Sequence, residues 1–282
     1  TKIVVCSPDY AEATKFADLW LSPKQGTDAA LSMAIGHVIL REFHVDNPTP
    51  YFRDYCRRNT DMPMLVELDE TDGRLVPGRF LRASDLGDAA AEQGHADWKT
   101  IARDENTGDL VVPQGSIGFR WDESGRWNLE EKEGLGGAET TLQLSLIDDR
   151  DELAGVSFPY FGGIEHEQFT ANTQSDVLER RVPVKRITRG DGRQVRVATV
   201  FDLMVAHYGV DRGLGDEAVA TSYDDNVPYT PKWQEQITSV PADHVIKVAR
   251  EFADNAAKTE GRSMVILGAG LNHWYHMDMN YR

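Results

Sequence analysis

A chain of 282 residues with 40% hydrophobic content can bury one large core or two smaller ones, and no apolar run in it approaches the ~18–20 residues that cross a bilayer. A formal net charge of −16 argues against a nucleic-acid backbone as partner and fits either plain solubility or a salty environment. The two cysteines, Cys6 and Cys56, have neither metal-ligand spacing nor the density of a disulfide framework, which fits a reducing compartment.

The chain starts on a strand-like run with no initiating Met and stops soon after a glycine turn, so it is expected to be part of a longer polypeptide. Residues 3–6 are continuous, apolar and rich in β-branched side chains, the pattern of a buried parallel strand. Ser7, Pro8, Asp9 and Tyr10 end it. They read either as a turn and helix cap or as a ligand loop at a strand's C-terminal end, where open α/β sheets bind. Leu19-Trp20-Leu21 is a second short apolar run. A loop follows, and Thr27 or Asp28 is expected to cap a helix over 29–42 whose buried face carries Leu31, Ile35, Val38 and Ile39. Gly26, Thr27 and Asp28 offer backbone N–H groups, a hydroxyl and a carboxylate at that helix start. The carboxylate suits the N1 and N2 donors of a guanine, or simply serves its own helix. Pro48 and Pro50 open another helix, with Tyr51, Phe52 and Tyr55 as packing candidates.

From residue 62 the character changes. A hairpin is expected over 63–80 around Asp72-Gly73, and a second over 182–200 around Gly190-Asp191-Gly192. Shorter strands are expected at 98–101, 109–112, 116–121 and 140–145. Polar groups such as Glu165, His166, Glu167, Arg180 and Arg181 have no metal or catalytic spacing and read as solvated loop. Helices return at 201–208, after the Thr230-Pro231 cap, and from Ser239 onward, where Val245, Val248, Ala249 and Phe252 share a face.

The last stretch is the richest. Met264-Val265-Ile266-Leu267 reads as a strand, and Gly268, Ala269 and Gly270 as a turn that lets backbone approach a phosphate or flat ring. Asn272, His273, Trp274, Tyr275 and His276 crowd the next segment. The expected fold is α/β, a Rossmann-like parallel sheet with helices built from 1–61 and 201–282 and interrupted by a β-rich, irregular insertion at 62–200. If strands 4–6 and 265–267 share a sheet, the three loops face one crevice suited to a nucleotide-bearing cofactor. No Walker A sequence, full Gly-x-Gly-x-x-Gly, cysteine cluster or nucleophile–base–acid set is present. From the residues alone, the reading ends at the cofactor-holding part of an α/β enzyme.

A resemblance extends it. Ser7-Pro-Asp-Tyr10 after a strand, then Asp18-Leu-Trp-Leu-Ser-Pro-Lys-Gln-Gly-Thr-Asp-Ala-Ala-Leu31, resembles the molybdopterin oxidoreductase superfamily, with Gln25 where that superfamily more often has Pro. Gly36-His-Val-Ile-Leu-Arg-Glu-Phe43, Tyr55-Cys-Arg-Arg-Asn-Thr-Asp-Met-Pro-Met-Leu65, Gly115-Ser-Ile-Gly-Phe-Arg-Trp121, Phe158-Pro-Tyr-Phe-Gly-Gly163, Ala220-Thr-Ser-Tyr-Asp-Asp225 and the segment from Gly268 to His276 together resemble the alpha (catalytic) chains of membrane-bound respiratory nitrate reductases.

That resemblance implies a longer catalytic chain that reduces nitrate to nitrite. It implies molybdenum on two molybdopterin guanine dinucleotides and a [4Fe–4S] cluster whose ligands, like the molybdenum-binding Asp, lie outside these residues. The implied partners are an iron–sulfur beta subunit and a haem-bearing membrane gamma subunit, with the complex on the cytoplasmic face of the cell membrane. By position, Ser7, Pro8, Asp9 and Tyr10 correspond to a first nucleotide loop, and Gly26, Thr27 and Asp28 to a second. Gly268, Ala269, Gly270, Asn272 and His273 correspond to a loop reaching pterin and metal. His273 or His276 is then a candidate neighbour of nitrate, where an N–H donor favours an anion, or a packed residue behind the pterin. The segment on its own reads as inactive. Two other readings stand beside this one: a structural piece docking the beta subunit through 62–200, and a relative acting on another oxyanion, which the insertion segments disfavour.

Overall fold

The computed structural model describes residues 1–10, 12–87, 99–114, 130–133, 137–159, 177–216, 219–271 and 273. Two regions of different character result: a small α/β layer and a closed β-barrel.

In the α/β layer, β1 (Val4–Cys6) pairs in parallel with β2 (Leu19–Leu21), in register Val4–Leu19 to Cys6–Leu21. The connection between them is a short 3-10 turn, Glu12–Phe16. Helix α1 (Asp28–Ile39) covers the pair and runs on as a π-helical stretch, Leu40–Asp46, beyond the helix expected to end at 42. Leu31 and Val38 are buried, whereas Ile35 and Ile39 lie half-buried at the edge of the apolar stripe. Helix α2 (Pro50–Asn59) starts as its sequence demands. Pro50 sits at the first helical position and the Thr49 hydroxyl accepts from the Phe52 N–H at 3.2 Å. Its buried residue is Cys56, while Tyr55 faces solvent rather than packing inward.

The barrel is built from β3 (Leu65–Thr71), β4 (Arg74–Phe80), β9 (Glu152–Pro159), β10 (Val177–Thr188) and β11 (Gln194–Thr199), in the order β10-β11-β3-β4-β9. Short strands β5 (Ala102–Arg103), β6 (Leu110–Val111), β7 (Pro113–Gln114) and β8 (Glu130–Glu133) form two small antiparallel ribbons. Both expected hairpins form: β3–β4 turns at Asp72 (φ 52°) and Gly73 (φ 74°), and β10–β11 turns at 189–193. Every barrel pairing is antiparallel except the closing contact of β4 with β9, a parallel match of Leu75 with Val156. Inward-facing Val66, Leu68, Val156, Phe158, Val182, Val184 and Ala198 form its core. Of the other expected strands, Thr100 and Leu142 make isolated bridges, to Arg82 and Asp104, and 116–121 lies outside the described residues.

Helix α3 (Val200–His207) caps the barrel, with Leu203 and Ala206 in the same core and the Thr199 hydroxyl accepting from the Asp202 N–H at 3.0 Å. Helix α4 (Pro231–Thr238) opens on the expected Thr230 cap, bonded to the Trp233 N–H at 3.1 Å. Helix α5 (Ala242–Thr259) buries Val245, Ala249, Ala253 and Ala256, and ends where Glu260 and Gly261 turn left-handed at φ 55° and 96°. Val240 and Val245 meet Leu21, Leu31 and Ala34, which joins α5 to α1 and the parallel pair.

The sequence expectation for residues 264–267 is corrected. Met264, Val265, Ile266 and Leu267 form no strand and pair with no strand among the described residues; they are 77%, 68%, 80% and 54% exposed. An apolar run becomes a strand only where neighbouring backbone offers a ladder, and among the described residues β1 pairs with β2 alone. The architecture is mixed α/β, with a two-stranded parallel sheet.

Candidate functional site

The C-terminal ends of β1 and β2 point the same way because the strands are parallel, and their two following loops therefore emerge side by side. The Ser7 N–H continues the ladder by donating to the Leu21 carbonyl at 3.1 Å, and the Ser22 hydroxyl donates to the Pro8 carbonyl at 3.4 Å. Within the first loop the Ser7 hydroxyl accepts from the Asp9 N–H at 3.3 Å, and the Thr14 hydroxyl ties down the Asp9 carbonyl at 3.2 Å. Asp9 and Tyr10 are exposed.

Trp20 organises this loop. Its indole N–H donates to the Ser7 carbonyl at 2.8 Å, and its ring meets Tyr10 edge to face at 5.2 Å. The sequence displays Trp20 only as the middle of an apolar triplet. Period-two alternation was the available signal: Leu19 and Leu21 face the core, so Trp20 faces the loops.

The second loop is anchored from below by α4, whose Thr238 carbonyl accepts from the Lys24 N–H at 2.9 Å. Gly26 takes φ 77°, and Lys24, Gln25 and Gly26 are exposed. The Thr27 hydroxyl donates to the Lys24 carbonyl at 2.6 Å instead of capping α1, which starts with no side-chain cap. The expectation of a Thr27 or Asp28 cap is thus corrected, because the tight 24–27 turn offers that hydroxyl a nearer acceptor. Asp28, half-buried, opens the helix within electrostatic reach of Cys6. Cys6 keeps some surface in solvent, yet desolvation of its thiol and, behind that, the Asp28 carboxylate push its pKa up to about 11. A thiol held protonated in this way is a poor nucleophile and a poor metal ligand. No group of three or more His, Cys, Asp or Glu side chains that could hold a metal occurs among the described residues.

The structure thus places Ser7, Pro8, Asp9 and Tyr10 after β1 and the loop that leads to Gly26, Thr27 and Asp28 after its parallel neighbour β2, joined by the bond from Ser22 to Pro8. The third predicted loop is described only in part. Ala269–Leu271 forms one 3-10 turn closed by the Leu271 N–H on the Gly268 carbonyl at 3.2 Å. A Cβ built at Gly268 or Gly270 would meet nothing within 4 Å, so both present open backbone. His273 is exposed, and Asn272 and His276 lie outside the described residues.

Chemically, the paired loops offer exposed backbone, a carboxylate at the uncapped start of a helix, and an exposed aromatic ring. Those are the groups that bind a nucleotide's phosphate, base edge and base face. They include no acid–base pair. Among the described residues no helix is long and apolar enough to cross a membrane.

The family described as molybdopterin oxidoreductase matches residues 1–282. The chain is 59% identical over 282 residues to the respiratory nitrate reductase 1 alpha chain of Escherichia coli (strain K12), a match covering 100% of this chain and 22% of that protein. It is 46% identical over 281 residues to the nitrate reductase alpha chain of Bacillus subtilis (strain 168), covering 100% and 22%. It is 26% identical over 282 residues to the perchlorate reductase subunit alpha of Dechloromonas aromatica (strain RCB), covering 100% and 23%. The chain spans less than a quarter of the length of each of these relatives. With the family pattern extending over all of its residues, this chain belongs to the molybdopterin oxidoreductase family.

Proposed function

We propose that these residues are part of the catalytic subunit of a respiratory nitrate reductase and hold the nucleotide end of a molybdenum cofactor of the bis(molybdopterin guanine dinucleotide) type. The observation that carries the reading is the pairing of loops 7–10 and 22–28 at the ends of two parallel strands, tied by the Ser22 hydroxyl to the Pro8 carbonyl. The identity to nitrate reductase alpha chains, higher than to the perchlorate reductase subunit, favours nitrate among oxyanions.

When bound, the molybdenum–pterin group supplies the two-electron oxygen-atom transfer. The role of this chain's residues is to bind and orient. Asp28 accepts from the guanine N1 and N2 donors, and the backbone N–H groups of Gln25 and Gly26 meet phosphate oxygens. Tyr10, held against Trp20, offers a face to the base. Gly268 and Gly270 allow close approach to the pterin, and His273 or His276 presents an N–H donor toward nitrate. On this reading the parallel pair β1–β2 belongs to a Rossmann-like sheet completed by further parts of the longer polypeptide, with 62–200 as its insertion. The full-length chain would carry a [4Fe–4S] cluster held by residues outside this chain, and its electrons would come from an iron–sulfur beta subunit and a haem-bearing gamma subunit at the cytoplasmic face of the membrane.

The test is the full-length reductase carrying Asp28→Ala, with guanine nucleotide released on acid treatment measured per chain. The expected result is a fall in nucleotide content alongside unchanged expression and solubility. Full nucleotide content in the variant would remove Asp28 from the site, and equal content in a Tyr10→Ala, Asp28→Ala double variant would remove the paired loops altogether.

A further inference from the structure

The second loop hangs from one atom of helix α4, the Thr238 carbonyl oxygen that accepts from the Lys24 N–H at 2.9 Å. A helix leaves its last carbonyls without partners in its own ladder, so this oxygen is open to Lys24 only while the chain beyond α4 turns away from it. Ser239 makes that turn. It takes φ 66°, a left-handed conformation that a residue with a Cβ adopts at a cost. Its own N–H donates to the Glu235 carbonyl at 2.9 Å.

A buried side-chain network holds both sides of this turn. The Gln234 amide nitrogen donates to the Val240 carbonyl at 2.8 Å and to the Pro231 carbonyl at 3.1 Å, and its amide oxygen accepts from the Thr238 hydroxyl at 2.7 Å. That hydroxyl accepts in turn from the Val240 N–H at 3.0 Å. Gln234, Thr238 and Val240 are all buried. Residues 238 and 240 are thus braced on either side of the peptide group whose oxygen holds the Lys24 N–H. An apolar side chain of the same volume would fill this corner between α4 and α5 without desolvating an amide. What the amide adds is one fixed conformation.

From Thr238 the bonds continue into the loop. The Lys24 carbonyl accepts from the Thr27 hydroxyl at 2.6 Å and from the Thr27 N–H at 3.2 Å. This closes the turn that presents Gln25 and Gly26 and leads into Asp28. Helix α4 also packs Trp233 against Ala30 of α1, so one short helix sets both the turn and the start of the helix after it.

We infer that Gln234 is a positioning residue for the second loop: acting through Thr238 and Lys24, it holds Gly26 and Asp28 in place for the nucleotide. The inference rests on the reading of 22–28 as a nucleotide loop.

The experiment compares the full-length, cofactor-loaded protein with its Gln234→Met, Thr238→Val and Thr238→Ser variants. Two quantities are read: hydrogen–deuterium exchange of peptides covering 22–28, and guanine nucleotide released per chain on acid treatment. Gln234→Met and Thr238→Val are expected to speed exchange over 22–28 by roughly five- to tenfold, the effect of losing one such bond. Both should leave β3 and β11 at the wild-type rate and lower the nucleotide content. Thr238→Ser keeps the hydroxyl and is expected to match wild type in both readings. Thr238→Val breaks the network without changing residue 234, so a Gln234→Met chain that fails to fold does not remove the test. Wild-type exchange over 22–28 in Thr238→Val, or fast exchange in Thr238→Ser, overturns the inference. Faster exchange with full nucleotide content supports the tie from Gln234 to the loop and strikes instead the nucleotide reading of 22–28, so the two fail separately.

Discussion

The indole N–H of Trp20 donates to the carbonyl of Ser7, so a strand residue of β2 fixes the loop that leaves β1. This bond crosses from one parallel strand to the loop of the other. Trp20→Phe keeps an aromatic ring beside Tyr10 and removes the donor together with part of the ring's packing area. The expected cost is about 0.5–1.5 kcal/mol of stability, the usual worth of one such bond, with faster loss of guanine nucleotide from the full-length enzyme. Urea unfolding and nucleotide release rates measure the two effects. Unchanged release would mean that Trp20 serves stability alone.

A second prediction concerns the fully buried Asp202. Its carboxylate accepts from the Ser145 hydroxyl at 2.7 Å, the Leu146 N–H at 2.8 Å and the nearly buried Arg212 Nη1 at 2.5 Å. Asp202→Asn preserves shape and leaves Arg212 charged and unpaired. A loss of about 3–5 kcal/mol is expected, as for breaking one side of a buried pair. The double variant Asp202→Asn, Arg212→Met should recover part of it. Denaturant midpoints at constant m-value read both, and a single variant within 1 kcal/mol of wild type would show that the pair carries little.

A third prediction follows from two histidines. Burial lowers the pKa of His37 to about 4, opposed by its bond to the Tyr208 carbonyl and assisted by the Arg41 charge, and burial lowers His44 to about 4 as well. Both are neutral in the folded chain, whereas an unfolded histidine titrates near 6.5. Between those values the unfolded state binds more protons, so stability rises with pH across the window and is level above it with respect to these groups. Lowering pH from 7 to 4 should cost up to about 3 kcal/mol per histidine. Urea midpoints from pH 8 to pH 4 should show the fall, and His37→Gln should make it shallower. An identical slope in that variant would mean that His37 charges without cost.

How much of this was legible in the sequence depended on how local the cause was. Helices α2 and α4 announced themselves through Thr49-Pro50 and Thr230-Pro231, where one hydroxyl and one ring fix a terminus. The two hairpins were carried by Asp72-Gly73 and by 189–193. The loops 7–10 and 22–28 were legible as candidates because each follows an apolar triplet. Closure of the barrel was not, since nothing near Leu75 or Val156 in sequence records that they meet. Residues 264–267 have a strand's composition, but pairing belongs to a neighbour the run itself cannot specify. The reading of Arg180 as solvated loop is corrected for the same reason: it lies buried on β10, near His207 of α3, Gly209 and Tyr229, all distant along the chain.

The closing match of Leu75 with Val156 has a consequence for how the chain reaches its native state. Each hairpin can form from neighbouring residues within microseconds, and the β10–β11 ribbon needs nothing from the first half of the barrel. Joining β4 to β9 requires all the intervening chain to be gathered into a loop, and the entropy of that closure is lost before the barrel core can compensate it. The pairing of β3 with β11 gathers a still longer stretch, so both long-range contacts of the barrel carry this cost, and β4 is an open edge until β9 joins it. In a translating ribosome that edge is exposed from the synthesis of Phe80 until β9 emerges, which makes this interval the point at which the chain is most open to mispairing.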